Sequence, residues 1–384
     1  IYPKEMKGIG KWSNSWNLST IPRFGVNSNV LTKRICKVRF IFVCIFLLLV
    51  RSNVLAQSNG HEFYKFTKLD TLQGTLTPLR TSYDVGFYHL DVEVFPAEEI
   101  LKGSSLIRFK VAKPTDRIQV DLFSEMKIEK VEWRNKQLDF EREYNAVYVD
   151  FPEKLAEGSI DEIKIFYSGR PVDYNFNIPM YASFLWLEDD AGDPWLQAIC
   201  QGYGASGWWP NKDHLSDEPD SAKISVTAPK ELDVVSNGRL TSKKELAGNK
   251  TRWNWTVSYP INNYNGTFNV GKYKKTIDVY DNGTSKLDLE YYMLEENDTD
   301  ISVTTAVVKP MLKTFERYFG PYPFSKDGFK LVESPHPMEH QSCVAIGSDY
   351  FYDADDSGIW SEISEDDINY SIVLHESVHE WWGN

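Results

Sequence analysis

The stretch "YHLDVEV", Tyr88 to Val94, alternates Tyr88, Leu90, Val92 and Val94 with His89, Asp91 and Glu93. Successive side chains of a β-strand point to opposite faces, so this alternation predicts a strand with one face in a core and one in water. The same period recurs nearby. "RIQVDLF" sets Ile118, Val120 and Leu122 against Gln119 and Asp121, and "NAVYVDF" and "DEIKIFYSG" continue it to Gly169. Gly, Pro and Asn separate the runs, as expected of antiparallel strands joined by turns. From Tyr83 to about Lys286 the pattern predicts a β-sandwich or curled sheet of some 200 residues. The aromatic share, 14% with 12 Trp, 21 Tyr and 21 Phe, fits a β-rich fold.

The texture changes after about Glu290. "ISVTTAVVKPMLKTFERYFG" has apolar residues at helical spacing, Pro310 predicts a kink or a late start, and Gly320 and Pro321 end the run. "GFKLVES" reads as a strand. "SEDDINYSIVLHESVHEWWG" reads as a second helix, with Ser364 as N-cap and Asp367 three positions on. The chain of 384 residues is thus expected to place a β domain over 57–290 and a mixed domain over 291–384.

The first 56 residues differ from both. They hold nine Lys/Arg and one Glu, whereas 57–384 hold 33 basic and 54 acidic residues, a net of −21. Nucleic-acid binding needs a basic face, and this balance argues against it. Lys33, Arg34, Lys37 and Arg39 precede the apolar run Phe40–Val50, and Val54 and Ala56 follow at signal-peptidase spacing. Eleven apolar residues are too few to span a bilayer at about 1.5 Å per residue. Residues 33–56 are therefore expected to be a cleaved signal, with cleavage near Ala56, export, and no stable membrane anchor. Residues 1–32 show no periodicity. Beyond that leader, Cys200 and Cys343 remain, which is no disulfide framework.

Chemistry concentrates in "IVLHESVHEWWGN", Ile372–Asn384. His375 and His379 are four apart, hence on one helix face, where both imidazoles can reach one Zn²⁺. Glu376 lies beside such a metal and can take a proton from activated water. The plainer alternative is a solvated surface helix. The apolar residues before His375 speak for a buried helix, in which His and Glu need partners.

A second motif lies upstream, "SPHPMEHQSCVAIG", Ser334–Gly347. Together the two resemble the M1 family of zinc aminopeptidases, the gluzincins, which carry G-x-M-E-N ahead of H-E-x-x-H-x-W-x-G-N. "RYFGPYPFSK" resembles that family's Y-F-G-x-P-Y-P stretch, and "CQGYGASGWWPNKDHLSDEP" its T-Q-x-E…W-x-P-C-x-D-E-P stretch. The resemblance covers about Tyr83 to Asn384. It implies a saddle-like, mostly antiparallel N-terminal β domain followed by an incomplete α+β thermolysin-like catalytic domain. It implies Zn²⁺ held by His375 and His379, Glu376 as general base, and a peptide N-terminus bound by Glu339, Met338 and Gln201. A carboxylate at Glu339 would pair with the α-ammonium and make the enzyme count from the N-terminus. Some positions depart from the pattern. The family's Asn after Met-Glu is His340, the acid two after the Gln is Tyr203, and the Cys of W-x-P-C is Asn211.

The resemblance also implies a third zinc ligand, a Glu eighteen residues past His379, and a later tyrosine for the oxyanion. Both would lie beyond Asn384. The expectation is an N-terminal piece of an exported aminopeptidase that binds zinc poorly as given. Two alternatives stand beside it. One is a zinc hydrolase of the same fold with another substrate, such as an epoxide. The other is a non-catalytic secreted β-domain binding protein.

Overall fold

The computed structural model describes residues 65–173, 183–200, 202–295, 301–347 and 365–383. The leader with its signal segment, Gln201 and Ser364 lie outside the described residues.

The alternating stretches form an eight-stranded sheet. From edge to edge its strands are Arg239–Leu246, Lys250–Val257, Ser221–Pro229, Tyr83–Phe95, Ile100–Val111, Ile160–Gly169, Lys127–Trp133 and Lys136–Leu138. Tyr88, Leu90, Val92 and Val94 are buried as the alternation requires. Neighbours are antiparallel, as expected, with one exception: Tyr83–Phe95 pairs parallel with Ser221–Pro229, Phe87 opposite Ser221. Parallel pairing needs a long crossover, and some 125 residues intervene. A three-stranded sheet (Thr115–Asp121, Ala146–Leu155, Phe140–Glu143) and a four-stranded sheet (Asp233–Ser236, Phe268–Gly271, Pro194–Ala198, Phe184–Glu188) complete the β layers. Trp195, Trp208 and Trp255 fill the core between them. Each such side chain contributes about 1.5–3 kcal/mol on burial.

"RIQVDLF" is buried on both faces, not one. Gln119 and Asp121 are as inaccessible as Ile118 and Val120. The short helix Pro78–Thr81 and its N-cap cover that face: the Arg80 guanidinium meets Asp121 Oδ2 at 2.7 Å, and the Thr77 hydroxyl donates to Gln119 Oε1 at 2.9 Å.

A five-stranded sheet follows, ordered Tyr273–Asp281, Lys286–Leu294, Phe329–Val332, Val344–Ile346, Pro337–Met338, with its second and third, and third and fourth, strands parallel. Two helices, Ile301–Phe319 and Glu365–Val378, contribute Val308, Met311, Leu312 and Val373 to a core with Leu289, Phe329, Leu331 and Val344 from this sheet. The first helix runs unbroken through Pro310. Pro310 and Ala306, whose carbonyl loses its N–H partner, are both on the exposed side, so water can satisfy that carbonyl. The helix ends at Gly320, which takes a φ of +102° and donates its N–H to Glu316 O at 3.1 Å.

Candidate active site

The edge strand Pro337–Met338 pairs antiparallel with Val344–Ile346, Met338 opposite Ala345. Between them the chain turns through His340–Ser342, with Ser342 at φ +55° and Cys343 N–H donating to His340 O at 2.9 Å. Such a turn leaves backbone groups that the sheet cannot satisfy. Buried polar side chains from the β layers take them. Gln197 clamps His336 at both ends, Nε2 to its carbonyl and Oε1 from its N–H, each at 2.9 Å. Asn265 Oδ1 accepts from Gln341 N–H at 3.2 Å, and Asn237 Nδ2 donates to Gln341 O at 2.7 Å. The Met-Glu segment is therefore held by residues 70 to 140 positions away in sequence.

Glu339 leaves this edge half-buried and accepts from the Tyr264 hydroxyl. Glu376, on the Glu365–Val378 helix, is 8% exposed. Burial first, and then the charge of Glu339, push its carboxyl up to about 8. The Met-Glu carboxylate and the H-E-x-x-H carboxylate are thus brought into one electrostatic neighbourhood, and Tyr264 senses both.

From Ser371 onward this segment is buried on one side only. Val373, Glu376, Ser377 and Glu380 are inside, whereas His375 is exposed and Leu374 is 38% exposed. The apolar run before His375 overstated the burial of that face. The His375 and His379 rings have centroids 5.1 Å apart at 76°. His379 Nδ1 lies 2.8 Å from Trp382 O. A carbonyl only accepts, so Nδ1 carries a proton, and Nε2 is the nitrogen that the neutral ring would offer a metal. Gly383, at φ +86°, closes the turn over that ring: a Cβ there would sit 3.2 Å from His379 Nδ1. Two imidazoles one turn apart, one with its far nitrogen fixed by a carbonyl, fit as part of a zinc donor set. Among the described residues no group of three or more His, Cys, Asp or Glu converges as a metal site.

Glu380 was not singled out from sequence. It is 2% exposed, accepts Ser342 N–H at 2.8 Å, and lies 2.7 Å from the Tyr322 hydroxyl. Burial pushes its carboxyl up to about 7. Trp381 Nε1 adds a bond to Gly320 O at 3.0 Å. Beside these residues a cleft of about 410 Å³ is lined by Tyr259, Phe324, Gln341, His379 and Trp382 among others.

The departures noted in sequence have distinct surroundings. The Tyr203 hydroxyl accepts from Asn145 Nδ2 at 2.9 Å, and its ring stands edge-on to Phe123. His340 is fully buried, and desolvation lowers its pKa to about 4, so it is neutral. Cys200 and Cys343 are both buried free thiols, and burial raises Cys343 to about 12.

The Peptidase M1 N-terminal domain matches residues 82–264. Residues 82–264 thus carry a Peptidase M1 N-terminal domain. Aminopeptidase 2 of Candida albicans is 22% identical over 342 residues, which are 87% of this chain and 35% of that protein. Human glutamyl aminopeptidase is 24% identical over 176 residues, 44% of this chain and 18% of that protein. The chain thus spans about a third or less of the length of these relatives. Among solved structures, a mutant of the M1 zinc metallopeptidase from Deinococcus radiodurans bound to a Tyr-Ser-Ala substrate superposes with a TM-score of 0.64 at 20% identity. That match covers 79% of this chain and 65% of the other, and it establishes the M1 fold, with the mostly β architecture described above. A mutant of a two-domain M1 zinc metallopeptidase bound to L-tryptophan gives the same figures.

Proposed function

We propose that this chain is the amino-terminal part of an exported, zinc-dependent aminopeptidase that removes N-terminal residues from peptides. It would comprise a leader (1–56), a β domain (57–290) and part of a thermolysin-like catalytic domain (291–384). The observation that carries the reading is that Glu339 and Glu376, each delivered by its own motif, lie close enough for the charge of Glu339 to raise the Glu376 carboxyl.

In this reading Glu339, backed by Met338 and Gln201, takes the α-ammonium of the peptide. His375 and His379 would hold zinc, which supplies Lewis acidity when bound. Glu376 is the proton-transfer group. Alone, its carboxyl is held up to about 8 partly by the charge of Glu339. An ammonium on Glu339 cancels that charge, so substrate binding shifts Glu376 toward the ionised state in which it can accept a proton. Fixing the amine at Glu339 leaves only the first peptide bond within reach.

The test is hydrolysis of aminoacyl-p-nitroanilides by the full-length protein, with metal content measured alongside. Glu376→Gln is expected to lower kcat about 10³-fold while zinc stays bound. Retained turnover in that variant rules out the assigned base. Turnover of N-acetylated substrates at rates equal to the free amines rules out the role of Glu339.

A further inference from the structure

Tyr264 is rooted more firmly than a loop tyrosine requires. It stands in a one-turn 3₁₀ segment, Asn263–Asn265, capped by Asn262 Oδ1, which accepts from Tyr264 N–H at 3.0 Å. Its two neighbours are buried and committed. Asn263 Nδ2 donates to Lys212 O at 2.8 Å, and Asn265 Oδ1 receives Gln341 N–H at 3.2 Å. The ring packs against the cluster of Leu185, Ile199, Met338 and Ala345, and the hydroxyl ends on Glu339 Oε1. A carboxylate only accepts, so the phenol donates. Burial and the nearby Glu339 charge keep that phenol protonated.

We propose that Tyr264 is a positioning residue for Glu339: by engaging one carboxylate oxygen it aims the other at the ammonium of a bound peptide N-terminus. The inference rests on the reading of Glu339 as the amine-binding group. Where two acids share an ammonium, neither needs a fixed rotamer. Here Tyr203 stands where the family pattern has the second acid, and its hydroxyl is engaged with Asn145. A lone carboxylate on a side chain with three rotatable bonds binds an ammonium well only if its rotamer is already chosen. Tyr264 makes that choice through a charge-assisted hydrogen bond from a ring packed against Leu185, Ile199, Met338 and Ala345.

Calorimetry in a Glu376→Gln background of the full-length protein tests this with leucinamide and N-acetylleucinamide, which differ in the ammonium. Tyr264→Phe keeps the ring in its cluster and removes only the donor. It is expected to weaken leucinamide about tenfold and leave the N-acetyl ligand unchanged. Tyr264→His, with a shorter donor, should recover part of the difference. Adding Tyr264→Phe to Glu339→Gln should cost nothing further. If Tyr264→Phe weakens both ligands equally, or neither, the positioning role is overturned. If Glu339→Gln itself leaves leucinamide binding intact, the reading of Glu339 fails instead, whatever Tyr264→Phe does.

Discussion

The backbone N–H of Ser342 donates to Glu380 Oε1 at 2.8 Å. Ser342 is three residues past Glu339, and Glu380 is the residue after His379. One buried carboxyl therefore ties the turn after the Met-Glu segment to the end of the H-E-x-x-H segment, with Tyr322 on its other oxygen. The Tyr322 hydroxyl also lies 3.1 Å from Gly328 O, so one phenolic proton faces two acceptors unless Glu380 supplies its own. Gln reproduces that protonated acid. Glu380→Gln should unfold in urea within about 1 kcal/mol of wild type, whereas Glu380→Ala should lose about 2–4 kcal/mol by orphaning Ser342 N–H and opening a void. Equal losses for the two variants would remove Glu380 as the tie.

The same carboxyl sets a pH dependence. Glu380 and Glu376 stand at about 7 and about 8 in the folded chain, above the usual 4.5. Between those values the folded state holds protons that the unfolded state has released. Their stabilising contribution is full below about pH 4.5 and is lost as pH rises through 7 and 8. His340 and His89, both lowered to about 4, act the other way and cost stability as pH falls from 6.5 toward 4. Urea midpoints from pH 5 to 8 should fall less steeply for Glu380→Gln than for wild type. Parallel slopes would contradict the placement of that proton.

Gly383 should matter to metal as well as to fold. Its φ of +86° disfavours any side chain, and a Cβ would crowd His379 Nδ1 at 3.2 Å. Gly383→Ala should cost about 1–2 kcal/mol of backbone strain and disturb the Trp382 carbonyl that orients the ring. Zinc affinity of the full-length protein, read by competition with a chelator, should fall about 10- to 100-fold. Unchanged affinity would mean that the His379–Trp382 bond does not orient a ligand.

Arg80 is a structural prediction remote from the motifs. It is fully buried on Asp121 and also donates to Gln73 O at 2.9 Å and Thr75 O at 2.6 Å. Arg80→Ala should destabilise by about 3–5 kcal/mol because Asp121 is left buried without its cation. Metal binding per folded molecule should not change. A loss under about 1 kcal/mol would show that water replaces the guanidinium.

What could be read in advance followed one physical rule. Where a residue's partner is close in sequence or is water, the pattern shows. Tyr88 to Val94 alternates because one face meets solvent, and His375 and His379 are a helical turn apart by spacing alone. Where the partner is distant, the pattern is silent. Asp121 reads as a surface position until Arg80 is seen to cover it. Glu380 and Tyr264 look like unremarkable members of their segments, since Ser342 and Glu339 lie 38 and 75 residues away. Gln197, Asn237 and Asn265 belong to the same class, although polar residues set among Trp, Val and Phe were a usable hint that a buried backbone needed partners. Pro310 misled in the opposite direction, because its cost depends on which side of the helix faces water.

The parallel pairing of Tyr83–Phe95 with Ser221–Pro229 has a kinetic side. One edge of the first strand stays open until residue 221 and beyond have been synthesised, and closing that contact spans a loop of more than a hundred residues. The antiparallel ladder with Ile100–Val111 can form early, leaving a row of unsatisfied amides waiting for a late arrival. Refolding of the sheet should therefore be slow, and the partly folded chain should be at its most aggregation-prone while that edge is bare.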